Sequence, residues 1–353
     1  MRYFGNVEQA AAEAERLSDD AQLVTRSAGR DFDTDYDALR TDFQRDRDRI
    51  IHSKAFRRLS HKTQVFLAPE GDHFRTRLTH TLEVTQIART IARALSLNED
   101  LTEAIALGHD LGHTPFGHCG EAALTACLAE AWEAGKLPWL DCAPVFRHNE
   151  QSLRVVERIE NGGRGLNLTP EVRDGMVHHT GDVRAATLEG RVVAVADRIA
   201  YVNHDIDDAI RAGLLSEDAL PANTKELLGT THSTRIDTLV VNLVETSLET
   251  GDIRMTDEIW GAMMELRSFL FEEVYHSPLV LKEVWKADHI IRELFAYFCE
   301  HPDAISPEYL ALSPGNAVQA VTDYIACMTD RYATQLYQHL FIPSPLDSIF
   351  DAD

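Results

Sequence analysis

Apolar residues recur along most of this chain at intervals of three and four positions, which is the spacing of one face of an α-helix. Short β-branched runs, such as the one at 239–244, fall inside the same helical period. We find no internal repeat and no low-complexity tract. The pattern therefore predicts an all-α fold.

Three of the predicted helices carry an ionisable side chain on or near the apolar face. His80 lies on the apolar stripe of the segment 76–95, and Asp197 interrupts the apolar stripe of the segment 187–214. His109 lies one turn beyond Ile105, at the end of a third predicted helix. These three helices are therefore expected to bring imidazole and carboxylate groups into the core, where such groups need partners.

His109 is followed directly by Asp110, at the end of the segment that begins at a plausible Asn98 cap. Burial of both groups costs free energy unless one partner, such as a divalent cation, binds them together. Two adjacent side chains cannot complete a coordination shell, so we expect His80 and Asp197 as further ligands. Without the doublet, these two would be a hydrogen-bonded core histidine and half of a buried ion pair.

A second pair of ionisable residues follows the doublet. Pro115 interrupts the helical pattern, so a new helix is predicted to begin near Gly117. His118 and Glu121 then lie on one face of that helix, where the carboxylate can orient the imidazole. A general acid or base needs this arrangement. The alternative is a capping pair on the surface.

Positive charge is concentrated in one part of an acidic chain. The formal net charge is −23, which opposes nonspecific attraction to nucleic acid or to an anionic membrane. In 54–77, however, the basic residues outnumber the acidic ones: Lys54, Arg57, Arg58, Lys62, Arg75 and Arg77 against Glu70 and Asp72. This reversal suits a polyphosphate. On an open surface it would instead suit a single-stranded nucleic acid.

Two polar residues follow Asp197 at helical spacing. Tyr201 and Asp205 are each four positions further along, and so share its face of the helix. A ligand that meets the cation would extend past them. From spacing alone, they are equally consistent with ordinary positions on a helix surface.

The order of these residues resembles a known family. His80, His109 with Asp110, and Asp197 look like the H…HD…D signature of HD-domain phosphohydrolases, and more narrowly the chain resembles the deoxyguanosine-triphosphate triphosphohydrolase-like branch. Five ordered blocks carry this resemblance: Ser53–Leu59, Lys62–Val65, Thr76–His80, His109–Glu121 and Phe146–Asn149. It implies an HD-type helical core at 30–215, between an N-terminal helical segment at 1–29 and an accessory helical region at 216–353.

The resemblance also implies roles for individual residues. His80, His109, Asp110 and Asp197 would bind a divalent metal, which could be Mn, Mg, Fe, Co, Ni or Zn. The remaining roles are catalysis at the α-phosphorus for His118 and Glu121, phosphate binding for Arg77, His113, His148, Arg198 and Arg58, and sugar binding for Gln64, Tyr201 and Asp205. Tyr201 would crowd a 2′-hydroxyl and Asp205 would accept from the 3′-hydroxyl, which favours deoxyribose. His113 could instead only support a metal ligand.

The activity implied by the resemblance is hydrolysis of dGTP, and possibly of other dNTPs, to a deoxynucleoside and inorganic triphosphate. Whether His118 activates the water or protonates the 5′-oxygen stays open. So do two rival functions: another HD-domain hydrolase of monophosphates, cyclic dinucleotides or guanosine polyphosphates, and a nonhydrolytic dNTP sensor or single-stranded nucleic-acid binder. Family members often form homo-oligomers, commonly hexamers, and a relative may need an allosteric dNTP.

Composition adds expectations about the setting. No stretch approaches twenty uninterrupted apolar residues, so we expect a cytoplasmic protein without a membrane partner. The five cysteines show no CxxC spacing and are expected to be reduced core thiols. The aromatic residues of the accessory region are expected in the core or at subunit contacts: Trp260, Phe269, Phe271 and Tyr275.

Overall fold

The computed structural model describes residues 3–64 and 75–343, and these ranges are built from helices. They contain seventeen α-helices, of which the first nine are α1 Asn6–Arg16, α2 Asp42–His52, α3 Lys54–Arg58, α4 Arg77–Ala94, α5 Glu99–Gly108, α6 Gly117–Glu133, α7 His148–Arg154, α8 Glu160–Gly163 and α9 Pro170–Val177. The others are α10 Leu188–Arg211, α11 Ala222–Leu228, α12 His232–Thr250, α13 Asp257–Leu270, α14 Pro278–Glu300, α15 Pro307–Leu312, α16 Ala317–Ala326 and α17 Asp330–Phe341. The predicted all-α fold is confirmed.

Extended structure in these ranges is limited to one isolated antiparallel bridge between Thr63 and Thr76. Among the described helices, none combines the length and the apolar character that crossing a lipid bilayer requires.

Short polar side chains define where the site-bearing helices begin. Asn98 Oδ1 accepts a hydrogen bond from the backbone N–H of Leu101, 3.1 Å away, at the start of α5. Thr187 Oγ1 accepts from the N–H of Gly190 at 3.1 Å, at the start of α10. Each of these bonds satisfies a backbone donor that has no partner within its helix. The predicted Asn98 cap is confirmed.

Three helices, α4, α5 and α10, pack against one another at the centre of the fold. Their contact surfaces are apolar and fully buried, as Val84, Ile105 and Ile199 show. Burial of one such side chain contributes about 1.5–3 kcal/mol, so this packing fixes the three helix axes firmly. The four predicted metal ligands, His80, His109, Asp110 and Asp197, all lie on these three helices or directly after them.

The region after residue 216 contacts the part of the chain that carries the predicted site. Lys62 Nζ donates to the backbone oxygen of His113 and, at 2.9 Å, to that of Ala326. The Asp330 carboxylate accepts from the backbone N–H of Phe116 at 2.9 Å, just before α6. Both regions also contribute to one hydrophobic core. The predicted division at 215/216 stays a prediction.

The cysteines are all free thiols, but they do not share one environment. Cys127 and Cys327 are buried and Cys119 and Cys299 are partly buried, whereas Cys142 is exposed. The prediction of core thiols is therefore wrong for Cys142. This residue lies in the irregular stretch between α6 and α7, where no helix face directs it inward.

Candidate active site

The four predicted metal ligands converge at the centre of the molecule. His80, from α4, places Nε2 3.0 Å from Oδ1 of Asp197, from α10. His109 Nε2 lies 3.8 Å from that same Asp197 oxygen and 3.5 Å from Oδ1 of Asp110. His80, His109 and Asp110 are buried, and Asp197 is partly buried. We call these four residues the cation cluster.

One nitrogen of the cation cluster shows that the residues fit a bound cation. His109 Nδ1 lies 2.7 Å from the carbonyl oxygen of Ala106, and because a carbonyl only accepts, Nδ1 carries the hydrogen. Nε2 therefore has its lone pair free. It is buried and has no hydrogen-bond partner among the described residues. A buried polar atom without a partner is costly, and a cation shared with the neighbouring carboxylates would satisfy it.

Arg77 lies against the cation cluster rather than on an open surface. Its Nη1 donates to Oδ2 of Asp110 at 2.7 Å, and both side chains are almost fully buried. Its Nε and Nη2 are buried without a partner in the described structure. Burial alone would raise the pKa of Asp110, but the nearby His113, His109 and Arg77 outweigh burial and hold it well below the usual value.

The beginning of α6 packs closely on Arg77. Phe116 and Gly117 both have left-handed backbone conformations, with φ of 64° and 59°. A Cβ atom added to Gly117 would lie 2.8 Å from Arg77 Nη2. A glycine at this position therefore both tolerates the positive φ and leaves room for the guanidinium.

His118 and Glu121 form the predicted pair on α6. His118 Nδ1 lies 3.1 Å from Oε2 of Glu121, and 63% of the His118 side chain is exposed. Glu121 Oε1 also accepts from the backbone N–H of His148 at 2.8 Å. Burial would raise the pKa of Glu121, but hydrogen bonds from His118 and His148 outweigh it and lower the pKa. We call His118 and Glu121 the proton-transfer pair.

Further imidazoles lie between the pair and the cation cluster. The rings of His113 and His148 stack with centroids 3.9 Å apart, and His113 Nε2 lies 3.2 Å from Oδ1 of Asp110. His148 Nε2 also lies 3.2 Å from Nε2 of His179, which is buried. The sequence interpretation missed His179. The signal was the His178 and His179 doublet just before the segment 187–214.

The predicted sugar-binding residues meet a residue from the accessory region. The Tyr275 hydroxyl donates to Oδ2 of Asp205, and its ring stacks on that of Tyr201 with centroids 6.4 Å apart. Asp205 Oδ1 is buried and has no partner in the described part of the chain. Burial raises the pKa of Asp205 to about 7. Tyr275 therefore lies against two predicted site residues, which its expected place in the core or at a subunit contact did not indicate.

The other predicted contacts lie away from this cluster in the described structure. Arg198 Nη1 donates to the backbone oxygen of Ala194 at 3.1 Å, and the guanidinium lies 5.9 Å from the centroid of the Trp260 ring. Arg58 interacts with Tyr309 and with Cys327. Neither arginine is joined to the cation cluster by a described hydrogen bond or ion pair.

Part of the remaining prediction lies at or beyond the edge of the described residues. Gln64 directly precedes the gap at 65–74, and its Oε1 is buried without a described partner. Val65, which ends one of the family-like blocks, lies outside the described residues, and so do Glu70 and Asp72 of the basic segment.

Comparisons with known proteins agree with this arrangement. Residues 77–202 match the HD domain family, and residues 253–339 match the phosphohydrolase-associated domain family. A protein of Caldanaerobacter subterraneus subsp. tengcongensis is 53% identical over 338 residues, which are 95% of this chain and 96% of the relative. A protein of Desulfatibacillum aliphaticivorans is 50% identical over 87% of this chain and 90% of its own, and one of Clostridium perfringens is 46% identical over 93% and 95%.

All three relatives are named deoxyguanosinetriphosphate triphosphohydrolase-like protein. Because these identities extend over nearly the whole length of both partners, the chain belongs to the family of deoxyguanosinetriphosphate triphosphohydrolase-like proteins.

Proposed function

We propose that this protein is a metal-dependent hydrolase that cleaves deoxynucleoside triphosphates, dGTP among them, into a deoxynucleoside and inorganic triphosphate. The observation that carries the proposal is the convergence of the cation cluster from three helices, with a buried nitrogen of His109 that has no partner in the described structure. The names of the relatives favour this reaction over hydrolysis of monophosphates or cyclic dinucleotides.

The cation cluster is the proposed metal site, held by His80, His109, Asp110 and Asp197. A divalent cation there supplies Lewis-acid polarisation of a phosphoryl oxygen or of the attacking water. Two imidazoles and two carboxylates suit several metals, so Mn, Mg, Fe, Co, Ni and Zn all stay open. His113, His109 and Arg77 keep Asp110 charged, and the bond from Arg77 also fixes its orientation, as a metal ligand requires.

The proton-transfer pair is proposed to move the proton of the reaction. An ionised carboxylate only accepts hydrogen bonds, so the nitrogen of His118 that faces Glu121 carries a hydrogen, and Nε2 is the nitrogen that can take up or release a proton. Because most of the His118 side chain is exposed, Nε2 can meet a water molecule or a leaving oxygen. The arrangement serves a general base and a general acid equally well.

The surrounding residues are proposed to hold the rest of the nucleotide. Arg77 has two buried nitrogens without a described partner, and burial with nearby Arg77 and His148 keeps the pKa of His113 well below its usual value, so His113 is neutral. These two residues and His148 would face the phosphates. Asp205 would accept a sugar hydroxyl through its unpartnered Oδ1, beside the ring of Tyr201. Gln64, Arg198 and Arg58 complete the proposed contacts.

The test is a product analysis with the four dNTPs, separately and mixed, in Mn²⁺ and in Mg²⁺. Anion-exchange chromatography should show inorganic triphosphate and an equal amount of deoxynucleoside. Release of orthophosphate or pyrophosphate instead would contradict the proposal. Matched ribonucleotides are the control, and they should be poorer substrates. Turnover that appears only in the mixtures would indicate an activating dNTP.

We further propose that the chain consists of an N-terminal segment at 1–29, a core at 30–215 and an accessory region at 216–353, and that it self-associates. Large apolar side chains are exposed close together in sequence after α13: Phe271, Leu279, Leu281 and Trp285. Such exposed apolar surface is typical of a subunit contact. Sedimentation velocity should show an oligomer, and a single monomeric species would contradict self-association. We also propose that the protein acts in the cytoplasm, because its proposed substrates are precursors of DNA.

A further inference from the structure

The accessory region contacts two segments of the proposed site through one carboxylate. Asp330, the first residue of α17, accepts a hydrogen bond at each of its two oxygens. Oδ1 accepts from the backbone N–H of Phe116 at 2.9 Å, and Oδ2 accepts from that of Thr63 at 2.8 Å. Phe116 directly precedes α6 and lies two positions before His118. One side chain therefore joins the beginning of α6 to the segment that contains Thr63.

The backbone just before α6 needs such a contact. Phe116 has a φ of 64°, in the left-handed region, which costs free energy for a residue with a Cβ atom. Phe116 is also the capping residue of α6, and its side chain offers no acceptor to the first turn, unlike Asn98 at the start of α5. A conformation of this kind persists only where the surroundings hold it, and the bond to Asp330 is one of the contacts that do so.

The segment that contains Thr63 is attached to the beginning of α4. The backbone oxygen of Lys62 accepts from the N–H of Arg77, the first residue of α4, at 3.0 Å. Thr63 itself forms the isolated antiparallel bridge with Thr76. The segment is therefore fixed to the helix that carries His80 of the cation cluster.

A second contact joins the same parts of the molecule. Lys62, which is buried, donates from Nζ to the backbone oxygen of His113 and, at 2.9 Å, to that of Ala326. Ala326 ends α16, and three residues separate it from Asp330 at the start of α17. The corner between α16 and α17 therefore holds two places at once, the backbone before α6 and the segment before α4.

We propose that Asp330 is a positioning residue for the reaction, which places the proton-transfer pair relative to the cation cluster. It holds the beginning of α6, and with it His118, against a segment that is fixed to the helix of His80. This role rests on the proposed function, in which His118 moves the proton. The described hydrogen bonds of the Asp330 carboxylate go to backbone groups, and none joins it to the cation cluster, so it acts through the position of α6.

The alternative is a local role for the same carboxylate. An acidic residue in the first turn stabilises its own helix through the helix dipole, and Asp330 occupies such a position in α17. Asp257 offers a matched control, because both aspartates begin a helix directly after a threonine that caps it. The Asp257 side chain is 98% exposed and pairs with Arg254. If the role were only local, substitution of either aspartate would have the same effect.

The test compares Asp330→Ala with Asp257→Ala in the full-length protein loaded with Mn²⁺. Hydrogen–deuterium exchange measures the contact without any nucleotide. In peptides that contain Phe116 or Thr63, the amide that loses its acceptor in Asp330→Ala should exchange about 2–10-fold faster, the factor for one lost hydrogen bond. The kcat for triphosphate release should fall by about 10–100-fold, because a displacement of about 1 Å at a reacting group can cost that much. Cation content and nucleotide affinity should equal those of the wild type, and Asp257→Ala should match the wild type in all four measurements.

A double variant separates positioning from a general loss of structure. In His118→Ala, which lacks the group to be placed, Asp330→Ala should lower kcat no further. An additive loss would overturn the role of Asp330, and so would wild-type exchange or wild-type kcat in Asp330→Ala, or an equal loss of kcat in Asp257→Ala. If Asp330→Ala does not fold, Asp330→Asn, which keeps the size of the side chain, is judged by the same results. A wild type that releases no triphosphate would contradict the proposed function, and with it this role, whereas the other failures leave that function standing.

Discussion

The cation cluster and the proton-transfer pair lie close together but are built in different ways. His80, His109 and Asp110 are at most 3% exposed, and tertiary packing of separate helices brings them together. His118 and Glu121 lie one turn apart on the single helix α6, and the imidazole is mostly exposed. The first group therefore depends on the whole core, whereas helical periodicity alone produces the second.

This difference predicts how each group responds to substitution. Removal of a buried charged residue leaves its partner with a buried charge that nothing offsets. Such a substitution should therefore lower both the free energy of unfolding and the affinity for the cation. An exposed residue at a helix surface can be removed with little effect on stability. Substitutions in the cation cluster should therefore affect folding, cation binding and turnover, and those in the proton-transfer pair should affect turnover alone.

The largest effect is expected for Asp110→Asn. It removes the charge that offsets the buried guanidinium of Arg77, 2.7 Å away, and it also removes a proposed cation ligand. Loss of one partner of a buried ion pair costs about 3–5 kcal/mol, so the free energy of unfolding should fall by roughly that amount without metal. Urea denaturation measures the loss of stability, metal analysis measures the loss of bound cation, and triphosphate release measures the loss of turnover.

Asp100→Asn is the matched control, because this aspartate lies at the partly exposed beginning of α5, the helix that Asp110 follows, and accepts a hydrogen bond from Gln44. Loss of an acidic residue in the first turn should cost only about 0.3–1 kcal/mol and leave cation binding unchanged. If Asp110→Asn kept full cation content and full turnover, the cation cluster would not hold the metal.

The next largest effect is expected for His118→Ala, and it should appear only in turnover. Removal of a general acid or base lowers kcat by about 10²–10⁴-fold. Cation content, nucleotide affinity and thermal stability should stay close to those of the wild type. His289→Ala, which removes another half-exposed histidine, is the control and should retain wild-type turnover.

Glu121→Gln sharpens this test, because Glu121 acts on the reaction through His118 and His148. Loss of a supporting hydrogen bond typically lowers activity about 10–100-fold, so kcat should fall less than in His118→Ala. The pH profile of kcat should also shift. The double variant should be no slower than His118→Ala alone. Independent, additive losses would mean that the two residues do not act as one pair.

The same comparison explains how far the sequence predicts the site. Spacing along one helix places His118 against Glu121, and the order of ligands on three amphipathic segments indicates the cation cluster. Spacing determines the face of the helix from which a side chain projects, but it does not determine the position of the end of a long side chain. Arg77 lies one turn before His80 as predicted, but spacing did not indicate that its guanidinium also bonds to Asp110.

Contacts between distant segments could not be predicted in this way. Tyr275 lies in the π-helical turn Phe271–Tyr275, seventy positions after Asp205, and no local pattern joins the two. His179 follows α9 and approaches His148 only because α7 and α9 pack together. The sequence shows that these residues are present, but only the packing of the core brings them to the site.

The smallest expected effect concerns a second buried aspartate, whose surroundings contrast with those of Asp110. Arg77 and two imidazoles lie near Asp110, whereas Asp205 has its described hydrogen bond from the neutral Tyr275 hydroxyl. Burial accordingly raises the pKa of Asp205 from 3.8 to about 7. Between pH 3.8 and about 7, this carboxyl is therefore protonated in the folded protein but ionised in the unfolded chain. It contributes most to stability at low pH, and this contribution is lost as the pH rises to about 7.

Asp205→Asn removes this titration and keeps an oxygen for the Tyr275 hydroxyl. The stability of the variant relative to the wild type should therefore increase between pH 5 and 7, by up to about 1.4 kcal/mol per unit, and should level off above pH 7. Urea denaturation of both proteins at pH 5, 6, 7 and 8 measures this difference, in which the other titrating groups cancel. Tyr275→Phe removes a hydrogen bond that lowers the pKa of Asp205, so this pKa should rise. When Asp205→Asn is introduced into Tyr275→Phe, the gain in stability should therefore continue to a higher pH before it levels off. A difference that stays constant from pH 5 to 8 would show that Asp205 is ionised throughout, like Asp110, and that burial alone does not separate the two aspartates.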